Sequence, residues 1–380
     1  MINFDNAATS GKKPERVIQA VNYALYNLSA NPGRGGHDLS VKTANAVYNA
    51  RVKIADYFGA SGASNVIFTA NCTTSVNFVL KGFLKSGDHI VVSDLEHNAV
   101  MRPIKKTGID YSVAKVSLAD DDVTVKNFEK LINDNTKMIF CTAASNVCGK
   151  TVPLEKIGKL CRQRGIAFGV DAAQMAGVLP IDMKKMNIDF LCIAAHKGLN
   201  APMGLGILIA ERDIGDTVVE GGTGTNSLSL YQPEFMPERY ESGTINVPAI
   251  VGTGAGIDFL RSNARGSYNS EMQKIQRLYT SLATMPNIEI YTPYMQEFLY
   301  VPVLSFNVKG INSEKTASYL NSKGIAVRAG LHCAPAAHYK LKTNEQGTVR
   351  VSLSYYNTPS EIEYLIKVIK NNDLIKKNID

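Results

Sequence analysis

No stretch of this chain is long and apolar enough to span a membrane. The most apolar region, residues 188–210, is broken by His196, Lys197, Asn200 and Pro202. The first residues lack both the basic and the apolar segments of a secretory signal, so a cytoplasmic protein is expected. Cysteine is scarce, with six in 380 residues and no Cys-x-x-Cys pair, which rules out a disulfide framework and leaves a zinc site without support. Five of the six read as small buried hydrophobes, with Cys333 the exception. Charge of one sign is nowhere concentrated. Lys and Arg number 41 against 34 Asp and Glu, a net +7 that is mild at this length. The lysine pairs at 184–185 and 376–377 have no interleaved aromatics, which argues against nucleic-acid binding. Internal repeats and low-complexity linkers are missing too, so any two domains should pack closely.

What is present is an ordinary globular composition, 45% hydrophobic and 20% charged, with enough chain for two domains. Apolar residues fall at helical spacing over 14–28 and 42–58. Strand-like runs at 66–69, 89–93, 111–116, 137–141 and 166–170 alternate with helical segments at 73–84, 123–133 and 154–163. Runs at 190–194 and 206–210 complete an α/β unit with a mostly parallel sheet covered on both faces. After about residue 259 the rhythm changes. A helix at 271–284 leads to short strands at 288–290, 303–308 and 349–353, with helices at 316–322 and 360–371. The expected division is a large domain, 13–259, and a smaller α+β domain made of 1–12 and 260–380. The first dozen residues form no element of their own and should dock onto the small domain.

Chemistry in open α/β sheets gathers at strand ends. Asp171, in Val170-Asp171-Ala-Ala-Gln174, stands where a buried strand meets a helix; alone it reads as a helix cap. Lys197, in Ala194-Ala195-His196-Lys197-Gly198, leaves the next apolar strand for a Gly- and Pro-rich loop; alone it reads as a solvated lysine. Together, an acid and an amine at successive strand ends suit pyridoxal phosphate (PLP). The amine forms a Schiff base and the carboxylate keeps the pyridine nitrogen protonated. The small polar run Thr69-Ala-Asn71-Cys72-Thr73-Thr74 opens a helix, where free N–H groups suit a phosphate.

With these motifs in place the sequence resembles the fold-type I PLP enzymes of aminotransferase class V. The resemblance runs from Phe4-Asp5-Asn6-Ala7-Ala8-Thr9 to Arg350-Val-Ser-Leu-Ser-Tyr-Tyr-Asn357-Thr358. Within the class, four motifs resemble the cysteine desulfurase and selenocysteine lyase branch, group II in particular. They are Asn31-Pro-Gly-Arg34-Gly-Gly-His37, Glu96-His97, Ser145-Asn146-Val147 and Arg328-Ala-Gly330-Leu-His332-Cys333-Ala334. The resemblance implies a large domain with a seven-stranded, mostly parallel sheet. It implies that His97 stacks on the pyridine ring, that Asn146 bonds the ring oxygen with Gln174 beside it, and that Cys72, Thr73 and His196 hold the phosphate. It further implies that Thr244 reaches the phosphate of a second subunit in a homodimer. Arg350 is implied to clamp the substrate carboxylate, with Asn146, His37 and Arg328 also on the substrate side. The branch usually has a Ser or Thr where Ala194 stands and a Gly where Ala195 stands, and its phosphate loop seldom carries Asn71-Cys72.

The implied reaction converts L-cysteine to alanine, leaving a persulfide on Cys333 whose thiolate is favoured by His332 or Arg328. Selenocysteine lyase is the near alternative, and another class V reaction that leaves Cys333 idle is a second. A non-catalytic sulfur-transfer scaffold is a third. A metal hydrolase on His332, Cys333 and His338 fits no standard spacing. A sulfur-acceptor protein is a further possible partner.

Overall fold

The computed structural model describes residues 1–33 and 35–371; Arg34 of the 31–37 motif and the lysine pair at 376–377 lie outside the described residues. The chain opens with β1 (Ile2–Asn3), α1 (Glu15–Asn27), α2 (Asp38–Phe58), β2 (Val66–Thr69), α3 (Cys72–Phe83), β3 (His89–Ser93), α4 (Asn98–Thr107) and β4 (Asp110–Ala114). Next come α5 (Asp121–Glu129), β5 (Thr136–Thr142), α6 (Leu154–Arg164), β6 (Ala167–Asp171), β7 (Phe190–Ala194) and β8 (Gly206–Ala210). The remainder carries α7 (Val247–Ala283), β9 (Ile288–Ile290), β10 (Val303–Val308), α8 (Ser313–Ser322), β11 (Ile325–Ala326), α9 (Pro335–Leu341), β12 (Val349–Ser352) and α10 (Pro359–Lys370).

Every residue of β2, β3, β6, β7 and β8 is buried, because helices cover both faces of the sheet these strands form. Seven strands lie in the order β2-β8-β7-β6-β5-β3-β4, with β8 alone running against its neighbours. This is the fold expected from the sequence. The chain moves outward from β3 to β4, then crosses back to β5 and on to β6 and β7. The crevice beyond the carboxyl ends of β3 and β5 is therefore a topological switch point, where ligands of such sheets bind. The loops carrying His97, Asn146, Asp171 and Lys197 all leave the sheet along that edge.

The second part of the chain differs from expectation in one large respect. The helix expected from residue 271 begins at Val247 and runs for 37 residues, about 55 Å, so position 259 falls inside it. Its first half hides from a periodicity reading because glycines stand at its contacts. A Cβ on Gly256 would come within 2.0 Å of the Leu199 carbonyl oxygen, and one on Gly252 within 2.8 Å of Val21. Two shorter helices, α4 and α9, are also absent from the sequence reading; Pro103 inside α4 obscures its apolar face, Ala99, Val100 and Ile104. β9, β10 and β12 form an antiparallel sheet. The N-terminal segment, expected to form no element, carries β1, which pairs with β11, and Ser352 donates its N–H to the Phe4 carbonyl at 2.7 Å.

Candidate active site

Eight of the nine residues expected around a cofactor line a single cavity of about 130 Å³ at the carboxyl edge of the large sheet. They are Lys197, Asp171, Gln174, His97, Asn146, Cys72, Thr73 and His196. The ninth, Thr244, is exposed on the loop before α7 and does not line it.

Asp171 ends β6 and is buried; its Oδ1 accepts the Ala173 N–H at 3.0 Å and faces the Cys72 thiol at 3.6 Å. The helix expected after Asp171 is absent: residues 173–178 form turns, so the carboxylate closes a turn rather than capping a helix, and it borders the cavity. Burial and the nearby Asp171 charge push the Cys72 thiol well up, so it stays protonated. Lys197 sits in a tight turn after β7, its N–H on the Ala194 carbonyl at 3.1 Å. Burial lowers its amine below the ordinary lysine value, against the opposing pull of Asp171. Such an amine is more readily neutral, as a nucleophile or base requires.

His97 caps α4, its Nδ1 accepting the Ala99 N–H at 3.0 Å, which leaves its proton on Nε2. Burial lowers its pKa, so the ring is a neutral donor at its far edge. At the other end of the cavity α3 begins, with the Asn71 Oδ1 accepting the Thr74 N–H at 3.0 Å. Cys72 and Thr73 occupy the first two helical positions, where backbone N–H groups have no partner within the helix. Gly206 passes so close that a Cβ would lie 2.2 Å from the Asn71 carbonyl carbon, so only glycine fits there. His196 is pulled down to about 4, first by burial and then by Lys197 and Lys13, and its Nδ1 meets the Thr9 hydroxyl at 3.0 Å. An acid and an amine at strand ends, a neutral imidazole and free helix N–H groups are a donor set that fits PLP.

Of the substrate-side residues, Asn146 lines this cavity, while Arg350, Arg328 and His37 do not. Arg350 is buried on β12; its Nη2 pairs with the Asp5 Oδ1 at 2.8 Å and its Nη1 donates to the Asn146 carbonyl at 3.0 Å. Arg328 is half-buried, and its backbone bridges that of Arg350. Cys333 is exposed, while Cys141, Cys148, Cys161 and Cys192 are buried and Cys72 is half-buried at the cavity wall, unlike the five buried thiols expected. His332 and Cys333 are consecutive non-glycine residues in the left-handed region, with φ of 48° and 57°. The strain is held by two hydrogen bonds: Asn98 N–H to the Cys333 carbonyl and Asn146 Nδ2 to the His332 carbonyl, both 2.7 Å.

Two expectations require correction. His332 does not offer a positive charge to Cys333. It is buried, Arg350 adds to the effect, and its pKa falls to about 2, leaving a neutral ring whose Nε2 faces the Thr348 carbonyl at 3.1 Å. His37 is exposed and caps α2 through its Nδ1 and the Ser40 N–H, which is why that helix starts at Asp38 rather than 42. Among the described residues no group of three His, Cys, Asp or Glu side chains suits a metal ion.

The model of the class V aminotransferases matches residues 2–365. The chain belongs to that family. Among class V relatives, the cysteine desulfurase of Haloferax volcanii is 31% identical over 386 residues, covering 97% of this chain and 88% of the relative. An apo structure of a cysteine desulfurase from Thermococcus onnurineus superposes with a TM-score of 0.90 at 31% identity, covering 99% and 95% of the two chains. The cysteine desulfurase of Escherichia coli gives 0.84 at 26% identity, covering 97% and 93%.

Three residues of this class V site escaped the sequence reading. Asp5 stands in a motif that was noted but carried no assigned role. Glu96 is fully buried, its Oε1 accepting the Thr142 N–H at 2.9 Å, and burial pushes its carboxyl up to about 8. Lys13 donates to the His196 carbonyl at 3.0 Å, and burial lowers it to about 8. Glu96 stands in the Glu96-His97 motif quoted above, which with its apolar neighbour Leu95 was the available signal for it.

Proposed function

We propose that the protein is a cysteine desulfurase that uses PLP on Lys197 and receives sulfur from L-cysteine on Cys333. The observation that carries this reading is the anchoring of the exposed Cys333 loop. Its backbone is pinned at two points to residues that follow or line the cofactor cavity, Asn98 and Asn146. Four buried, unpaired cysteines accord with a reducing, cytoplasmic setting. No helix among the described residues is long and apolar enough to cross a membrane.

In this reading Asp171 would hold the pyridine nitrogen, with His97, Asn146 and Gln174 as the residues that would contact the ring. Cys72, Thr73 and His196 take the phosphate. When bound, the cofactor supplies an electron sink for charge developing at the substrate's α-carbon. Lys197 Nζ, its basicity reduced by burial, removes the α-proton. Arg350 and Arg328 hold the carboxylate. Cys333 then attacks the substrate sulfur as a thiolate. An S–S bond forms, the C–S bond breaks, and its electron pair stays with the three-carbon fragment, which takes up protons and leaves as alanine.

A homodimer completes the site in this reading, with Thr244 reaching the second subunit's phosphate. Its support is the exposure of Thr244 together with Leu228, Leu230 and Tyr231 on the segment before it. The test is the absorption spectrum of purified protein before and after L-cysteine, with alanine and sulfide assayed for wild type and Cys333→Ala. Yellow protein that makes both products only when Cys333 is present supports the proposal. A spectral response with no dependence on Cys333 would point to another class V reaction, and a colourless protein to a non-catalytic scaffold.

A further inference from the structure

Two of the three nitrogens of the Arg350 guanidinium are already engaged. Asp5 accepts from Nη2 and the Asn146 carbonyl from Nη1, but Nε is buried with no partner. A buried N–H without an acceptor is unfavourable as it stands and is relieved when an acceptor arrives. The local charge is mixed: Arg328 opposes the charge of Arg350, while Asp5 and the Cys333 thiol support it.

Asp5 is well placed to orient the fork. It comes from the opposite end of the sequence, yet its segment is held on both sides of the site. Its N–H is bound by Asn3 Oδ1 at 2.9 Å, Ala7 N–H is bound by Ser352 Oγ at 2.8 Å, and the Ala7 carbonyl accepts from Gln174 Nε2 at 3.0 Å. A planar guanidinium fixed at Nη1 and Nη2 has its Nε edge fixed as well. We propose that Asp5 is a positioning residue that holds Arg350 so that its unpartnered Nε–H edge is kept for the carboxylate of the amino-acid substrate. The inference rests on the reading that Arg350 takes that carboxylate. It assigns to the opening motif a part in choosing α-amino acids over simple amines.

The test compares L-cysteine with cysteamine, the same thiol and amine without the carboxylate, on holoenzyme carrying Cys333→Ala to stop turnover. Binding is followed through the cofactor's absorption band. Asp5→Ala should weaken L-cysteine by about tenfold, the scale of one charge-assisted contact, and leave cysteamine within about twofold. Asp5→Asn, which keeps an acceptor but not the charge, should recover part of the loss, and it carries the test if Asp5→Ala fails to accumulate. A structural role alone would weaken both ligands alike, and that result, or no change in either, overturns the proposal. Arg350→Ala separates the two levels. If it abolishes discrimination while both Asp5 variants retain it, only the positioning role of Asp5 is wrong. If it leaves discrimination intact, the placement of the carboxylate on Arg350 fails and the proposal fails with it.

Discussion

The two halves of the site are built in opposite ways. The proposed cofactor side is a set of strand ends held by the sheet, in which buried Asp171 closes β6 and half-buried Lys197 follows the adjacent parallel β7. The proposed sulfur side is a loop with an exposed thiol and two consecutive left-handed residues, secured through the carbonyls of His332 and Cys333 and through the His332 ring. The contrast suits their tasks. A cofactor needs fixed geometry, whereas a group that receives sulfur and passes it on must meet solvent or a partner. Strain next to Cys333 persists because Asn98 and Asn146 hold it.

The comparison breaks most completely at Lys197. Lys197→Ala should lower L-cysteine turnover by about 10³-fold or more, since both covalent attachment and the base are lost. Borohydride reduction followed by mass spectrometry should show no cofactor mass on the variant. Cys333→Ala should cost a comparable factor in sulfide and alanine production, about 10²-fold or more, while the cofactor band and its response to L-cysteine survive. That split would show the halves to be separable. Cys72→Ala is the matched control: its thiol is kept protonated by burial, so turnover should fall by less than about threefold.

A smaller effect distinguishes the buried half by pH. Glu96 has a folded pKa of about 8, raised by burial above the ordinary carboxylate value of 4.5. The folded state therefore holds a proton that the unfolded state has released, and stability falls as pH rises from about 5 through about 8. Glu96→Gln removes that proton and keeps the shape. Its melting temperature should exceed that of wild type by roughly 2 °C or more at pH 8.5, with the gap closing near pH 5. Calorimetry at several pH values reads it directly, and a gap that widened toward acid would contradict the burial argument.

The same contrast explains what was legible in the sequence. Strands at 66–69, 89–93, 190–194 and 206–210 were found to the residue, because continuous branched apolar runs between turns have little else to become. Asp171 and Lys197 were legible because each follows such a run. The first half of α7 was not, since Gly252 and Gly256 are there for close packing and depress helix propensity. The Asp5–Arg350 pair spans 345 positions, and no local pattern reports it. The neutrality of His332 was equally hidden, because it comes from burial and from Arg350, against the opposing hydrogen bond to Thr348.

The finest test concerns a group this chain lacks. Ala194 ends β7, is buried at the cavity wall, and stands where the branch usually offers a hydroxyl. Ala194→Ser would add one donor among a neutral His196, the helix N–H groups of Cys72 and Thr73, and the Lys197 turn. One net hydrogen bond is worth about 0.5–1.5 kcal/mol, so PLP should bind roughly two- to tenfold more tightly, with kcat little changed. Equilibrium dialysis of the cofactor against wild type and variant measures it. Weaker binding would mean that the space beside Ala194 is filled by packing rather than left for a phosphate oxygen, and the phosphate end of the cavity would then have to lie closer to α3 alone.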